Sequence, residues 1–362
     1  MCESAFCNFF ENFSYTSTSS ALWFCTPTYI EAAKEQLPAA ENGTLKFPGL
    51  FAFGDSILDT GNNNNLATVA KCNFPPYGRD LVGGIPTGRF GNGKVLSDLI
   101  AEGLGSKELL PSYLDPNLQS PDLPTGVCFA SELFKEYIAK LTGIVGEERA
   151  RAIIANSLFL VSAGNNDSLI SYSLIARKLH YDFPSYAALL VSMASTFLRC
   201  DLTLKDLYSL GARRIGVFST AAVGCSPFDR NRGGLPRECL ELELEEAAWF
   251  NSELSSELDY IRTNFTDVKL VFYLLDFSCC FFVFLTISFV CLFISIISGF
   301  QVEKFGCCGT GTIGVAVLCN EFSPFTCTDA SKYLYWDAVH PTERALRIVA
   351  SQILKKYINS FF

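Results

Sequence analysis

Residues 51–65 read FAFGDSILDTGNNNN. The apolar run that leads into them, Phe47 to Phe53, has the composition of a buried strand, and Gly54 and Asp55 break it. Ser56 follows at once, so a strand delivers a serine at its carboxyl edge. In open α/β sheets ligands bind in the crevice outside the carboxyl ends of the strands, which makes this a suitable place for a nucleophile. Gly, Asp and Ser are also turn formers, and on this stretch alone a plain turn is the competing reading.

Working outward, further strand signals lie at Leu158–Val161, Ile215–Phe218 and Leu270–Tyr273. Helical patterns separate them. Lys94 to Leu104 sets Leu96, Leu99 and Ile100 on one face, and ELFKEYIAKL from Glu132 and the span Glu147 to Ala155 follow. Pro184 to Leu207 reads as a long helix with Gly211 as its C-terminal cap, and Leu240 to Ile261 as another. Strands alternating with helices predict an α/β fold with a parallel sheet and helices on both faces.

A serine hydroxyl is a weak nucleophile and needs an adjacent general base, itself held by a third group. The chain offers two histidines. His180 sits in the polar context RKLHYDF and reads as a surface residue. His340 lies in WDAVHP, with Asp337 three residues upstream, where a tight turn brings the carboxylate to the imidazole. An Asp this close to a His can also be a simple capping pair. Pro341 suits the first turn of a following helix that carries Leu346, Val349, Ile353 and Tyr357 on one face. Gly164-Asn165-Asn166-Asp167 ends the second strand and has the composition of a turn.

Composition narrows the function classes. A net charge of −9 argues against a nucleic-acid partner, which calls for a basic face. Fifteen cysteines suit an oxidising compartment, and the odd number leaves at least one without a partner in the chain. Sequons at Asn12, Asn42 and Asn264 permit glycosylation on export. No Cys/His cluster has zinc spacing, no G-x-G-x-x-G follows a strand and no G-x-S-x-G occurs, so metal, dinucleotide cofactor and nucleophile elbow all lack support. Residues 1–45 read as an irregular tail and carry no basic n-region of a secretory signal in their first 30 positions. Phe277 to Val302 contains no charged residue and is long enough to cross a bilayer.

FGDSILDTGNNNN, together with NFPPYGRD, PTGRFGNGKVLSDLIAEGLG, GNND, LGARRIGVF, GCCGTG and WDAVHPTERA, resembles the plant GDSL-type esterase/lipases, a branch of the SGNH hydrolases. The resemblance runs from about Phe47 to the end, and places one hydrolase domain at 46–362. It implies a three-layer α/β/α sandwich and a secreted hydrolase of carboxylic, including lipid, esters that uses no cofactor. It assigns Ser56 as nucleophile, His340 as general base and Asp337 as its orienting acid. The Ser56 N–H and the Asn166 amide are its oxyanion donors. Cys225 and Cys239 resemble a disulfide pair of the family, and Cys307, Cys308, Cys319 and Cys327 are candidates for another. The family's glycine-rich turn, whose N–H is a third oxyanion donor, has no counterpart where Ser131 runs straight into Glu132. Phe277–Val302 is also foreign to the family and is expected not to span a membrane in an active form, because a span would part Ser56 from His340. The alternative function is a silent relative that binds lipid or ester without efficient turnover.

Overall fold

The computed structural model describes residues 47–129, 133–162, 164–166, 182, 185, 186, 189, 204–273, 299–323 and 325–362. The expected tail at 1–45, His180 and the Ser131–Glu132 join lie outside them. In chain order the elements are β1 (Leu50–Gly54), α1 (Leu96–Gly103), β2 (Cys128–Phe129), α2 (Phe134–Val145), α3 (Glu147–Asn156) and β3 (Leu158–Ser162). There follow α4 (Leu204–Ser209), β4 (Arg214–Phe218), α5 (Pro227–Arg232), α6 (Glu241–Asn264) and β5 (Lys269–Tyr273). The last are β6 (Val302–Gly306), β7 (Tyr333–Tyr335) and α7 (Glu343–Tyr357).

Five strands form a parallel sheet in the order β2-β1-β3-β4-β5. The four strands expected from apolar runs are all in it. β2 is two residues long, and so has no periodicity to read. Side chains alternate across the sheet, which gives each face its own core. On one face Phe51, Phe53, Phe159 and Val161 pack with Phe134 and Tyr137 of α2, Ile154 of α3 and Phe250 and Leu254 of α6. On the other, Leu50, Ala52, Leu158 and Leu160 pack with Leu96 and Leu99 of α1 and Leu346 and Ile353 of α7. The result is a three-layer α/β/α sandwich. The order in which successive strands are added across the sheet reverses at β1, whose neighbours are β2 on one side and β3 on the other. A crevice at the carboxyl ends of β1 and β3 is where such sheets bind ligands.

Two loops are fixed from beneath. The Arg89 guanidinium is buried and bonds both Asp98 carboxylate oxygens, at 2.7 and 2.8 Å, and the carbonyls of Thr60 and Leu110. Asp98 in turn accepts Val95 N–H and Leu110 N–H, so the α1 start is capped by the same carboxylate. A charge pair this deeply buried is tolerated because every polar atom has a partner. Farther along, β6 and β7 form a separate two-stranded parallel pair. Disulfides Cys307–Cys327 and Cys308–Cys319 close the loop between them, so the second set of cysteines supplies two bridges. Cys225–Cys239 is formed as the resemblance implies, whereas Cys72 and Cys128 are free and buried.

Two expectations are amended. Pro341 precedes the N-cap of α7 and is not in its first turn; Thr342 caps the helix, its hydroxyl accepting Ala345 N–H. Pro341 instead bridges Tyr335, which keeps the chain extended until Thr342. Of the apolar run at 277–302, residues 299–302 are described and belong to the fold. Phe300 is buried with Ala345 and Ile348, and Val302 opens β6. Residues 274–298 lie outside the description. Among the described residues no helix is long and apolar enough to cross a membrane.

Candidate active site

β1 stops at Gly54 because its backbone runs against β3. Its φ is 152°, and an added Cβ would collide with the Ser162 carbonyl oxygen. No other residue fits that approach. Asp55 then closes the turn. Its main-chain carbonyl accepts Leu58 N–H and Asp59 N–H, and its carboxylate accepts Ile57 N–H at 3.2 Å. The same carboxylate takes the Ser162 hydroxyl at 3.2 Å and the Asn165 amide at 2.7 Å. Ser56 is half-buried on this pinned turn, with its hydroxyl facing the C-terminal part of the chain.

His340 is delivered from the opposite side by the stretch between β7 and α7. Asp337 Oδ1 accepts Val339 N–H at 2.8 Å and His340 N–H at 2.7 Å, a side-chain-closed turn that the short Asp–His spacing makes possible. The fully buried Asp337 presents Oδ2 to His340 Nδ1 at 2.8 Å. Burial alone would raise the Asp337 pKa, but the facing His340 and the hydrogen bonds from its ring and main chain and from Tyr77 outweigh it and hold the pKa below its ordinary value. An ionised carboxylate only accepts, which assigns the proton of His340 to Nδ1 and leaves Nε2 as an acceptor. Nε2 stands 2.8 Å from Ser56 Oγ. Phe90 flanks the imidazole with ring centroids 5.2 Å apart. The α7 start is tied to the Phe90 loop through Glu343 N–H to Asn92 Oδ1 and Lys94 N–H to the Glu343 carboxylate.

Sequence reading thus named three residues that the fold brings into one line, Ser56, His340 and Asp337, across 284 positions of chain. Asn166 is exposed on the turn after β3, and Gly54 and Ser162 are register partners, so Ser56 and Asn166 leave adjacent strand ends. What the sequence passed over is equally informative. Asn165, read only as part of a turn, is buried; its amide donates to Asp55 and its carbonyl accepts Ala221 N–H at 2.9 Å. Tyr77 donates to Asp337 Oδ2 at 2.7 Å. Both fall within phrases already singled out, GNND and NFPPYGRD, but nothing in their spacing tells which partner they reach.

An Nε2 lone pair aimed at a serine hydroxyl, with an ionised carboxylate behind the ring, can remove the serine proton as the oxygen attacks a carbonyl. No group of three His, Cys, Asp or Glu side chains able to hold a metal is present among the described residues. A cavity of about 440 Å³ lies by Val302, Phe305, Cys307, Phe325, Cys327 and Tyr333, and none of the three aligned residues lines it.

The sequence pattern of the family described as GDSL-like Lipase/Acylhydrolase matches residues 50–353. Over 351 residues the chain is 42% identical to one GDSL esterase/lipase of Arabidopsis thaliana, covering 87% of this chain and 89% of that relative. It is 41% identical to the A. thaliana GDSL esterase/lipase EXL3 over 345 residues, covering 88% and 89% of the two chains. A further A. thaliana GDSL esterase/lipase is 42% identical over 347 residues, covering 88% and 92%.

Proposed function

The chain belongs to the GDSL-like lipase/acylhydrolase family, and from that membership we propose that it hydrolyses carboxylic esters, lipid esters among them, by acyl transfer through Ser56. The observation that carries the assignment of roles is the pair of 2.8 Å contacts, Ser56 Oγ to His340 Nε2 and His340 Nδ1 to Asp337 Oδ2.

As Ser56 Oγ attacks the ester carbonyl, His340 Nε2 takes the hydroxyl proton. Asp337 stays ionised and stabilises the imidazolium that forms. Negative charge moves to the former carbonyl oxygen, where the Ser56 N–H and the Asn166 amide donate to it. Collapse of this tetrahedral intermediate expels the alcohol, which receives the proton from His340. The acyl group is now on Ser56. Water enters, His340 removes its proton, and the second tetrahedral intermediate returns the serine and releases the acid. No cofactor enters this cycle. The disulfides Cys225–Cys239, Cys307–Cys327 and Cys308–Cys319, together with the resemblance to a secreted family, support action in an oxidising, extracellular setting.

A fluorophosphonate probe tests the reading. The intact protein is expected to be labelled on Ser56, and Ser56→Ala and His340→Ala to lose labelling and to reduce aryl-ester hydrolysis to a small residual rate. Labelling that persists in Ser56→Ala overturns the assignment.

A further inference from the structure

Tyr77 lies 260 positions before Asp337 and is fully buried. Its hydroxyl donates to Asp337 Oδ2 at 2.7 Å, the same oxygen that takes the Nδ1–H of His340 at 2.8 Å. The phenol oxygen also accepts Ala316 N–H at 3.0 Å. A phenol has one proton to give, and the amide at its back fixes which way it points. The ring is set edge-on to Phe74 at 5.8 Å and to Trp336 at 6.1 Å. Ala316 lies within the loop closed by Cys308–Cys319. Burial and the nearby Asp337 push the Tyr77 hydroxyl well above its ordinary pKa, so its proton is retained.

Asp337 Oδ1 is already held by two main-chain amides, but they leave Oδ2 with His340 as its partner within the turn. Each time His340 takes or releases a proton at Nε2, the load on that contact changes. A second, rigid donor on Oδ2 keeps the carboxylate from rotating and spreads its charge over more than one hydrogen bond. Among the described residues, the ionisable groups facing Asp337 are His340, Tyr77 and the buried thiol of Cys72. Of these Tyr77 is the one tied down by an amide on the far side.

We propose that Tyr77 is a positioning residue for ester hydrolysis, its hydroxyl locking Asp337 Oδ2 against His340 Nδ1 and drawing carboxylate charge away from the imidazole. The inference rests on Ser56, His340 and Asp337 acting as the acyl-transfer machinery. Orientation appears in kcat, because the imidazolium exists only along the reaction path. Charge withdrawal appears in the acid limb of the pH–rate profile, because a carboxylate relieved of the phenol holds the ring proton more tightly.

Tyr77→Phe keeps the ring and removes the donor. With a simple aryl ester, kcat is expected to fall by about 10- to 10²-fold, the scale of a small misplacement of a reacting group. KM is expected to stay near its original value, and the acid limb to move to higher pH. Because the variant also strips Ala316 N–H of its acceptor, a second protein carries 3,5-difluorotyrosine at position 77. It keeps both contacts with a more acidic donor, and its acid limb is expected to move to lower pH. Tyr77→Phe with unchanged kcat overturns the proposal, as does a lower kcat with an unmoved acid limb, which marks mere structural loss. If Tyr77→Phe does not fold, the fluorinated protein decides, and a profile that superimposes on the original overturns the proposal. Failure of the underlying reading is recognised separately, by His340→Ala retaining activity.

Discussion

Asp55 and Asn165 are joined by a 2.7 Å hydrogen bond across the carboxyl ends of β1 and β3. Asn165 is buried and spends its carbonyl on Ala221 N–H, so one amide ties together the ends of β1, β3 and β4. The turn that presents Ser56 is therefore anchored to the strands on its far side as well as to its own backbone. Asn165→Ala leaves Ala221 N–H without its acceptor and Asp55 Oδ2 with the Ser162 hydroxyl as its remaining side-chain donor. An unpaired group that is fully buried costs about 1–3 kcal/mol, and the partial burial of Ala221 sets the low end of that range here. Urea unfolding is expected to show a loss in that range, with kcat/KM for an aryl ester reduced as well. A variant with unchanged stability and unchanged kcat/KM would remove Asn165 from the support of the site.

The three aligned residues are expected to behave as one unit. Ser56→Ala and His340→Ala should each leave nearly the same residual rate, and the double variant should be no slower, because groups that act in one step are grossly non-additive. Asp337→Asn retains the shape but favours the wrong tautomer of His340, a change that costs about 10⁴-fold where it has been made in a serine triad. Single-turnover rates on the purified variants check this. Additive losses in the double variant would separate Ser56 from His340.

Asp337 also carries a pH signature in stability. Its pKa is held below the ordinary carboxylate value of about 3.9 because its His340 and Tyr77 partners outweigh the penalty of burial. A carboxyl group with a lowered native pKa adds stability above its unfolded pKa and loses it as pH falls through the native one. The stability difference between the intact protein and Asp337→Asn is thus expected to shrink as pH falls below about pH 4 and the carboxylate is protonated. Denaturant titrations at a series of pH values measure it. A difference that fails to shrink below about pH 4 would mean that the Asp337 carboxylate is not stabilised in the fold.

The parts of this molecule legible in the sequence are those whose cause is local. Leu158–Ser162 and Arg214–Phe218 are apolar runs ended by small or polar residues, and they are strands. The Asp337–His340 turn is written in four consecutive positions because the carboxylate that orients the ring also closes the turn. β2 escaped notice since two residues have no period, and its place in the sheet is set by pairing with Ala52 and Phe53. Tyr77 reaches Asp337, and Asn62 reaches the Cys128 carbonyl, across long stretches of chain. No local pattern encodes such a contact. Pro341 stands just before the helix rather than in its first turn for a related reason. Its bridge to Tyr335 delays the helix until Thr342, a tertiary effect that proline's fit to a first turn does not foresee.

The last prediction concerns the oxyanion. Resemblance to the family calls for three donors, and the positions in this chain that match its motifs account for two, the Ser56 N–H and the Asn166 amide. The third belongs to a glycine-rich turn that the sequence lacks between Ser131 and Glu132. On either side of that join Phe129 of β2 and Phe134 of α2 pack edge-on at 5.5 Å, in the same core as Phe51 and Phe53, so the join is bracketed by fixed points. Inserting a glycine-rich turn and the segment that follows it therefore has two anchored ends to bridge. A preorganised donor is worth about 10²–10³ in kcat, since it meets charge that develops only in the transition state. The inserted chain is expected to gain turnover by that factor toward an aryl ester while KM changes little. Equal rates for the two chains would mean that another main-chain N–H already faces the oxyanion, and the two-donor description of the site would then be wrong.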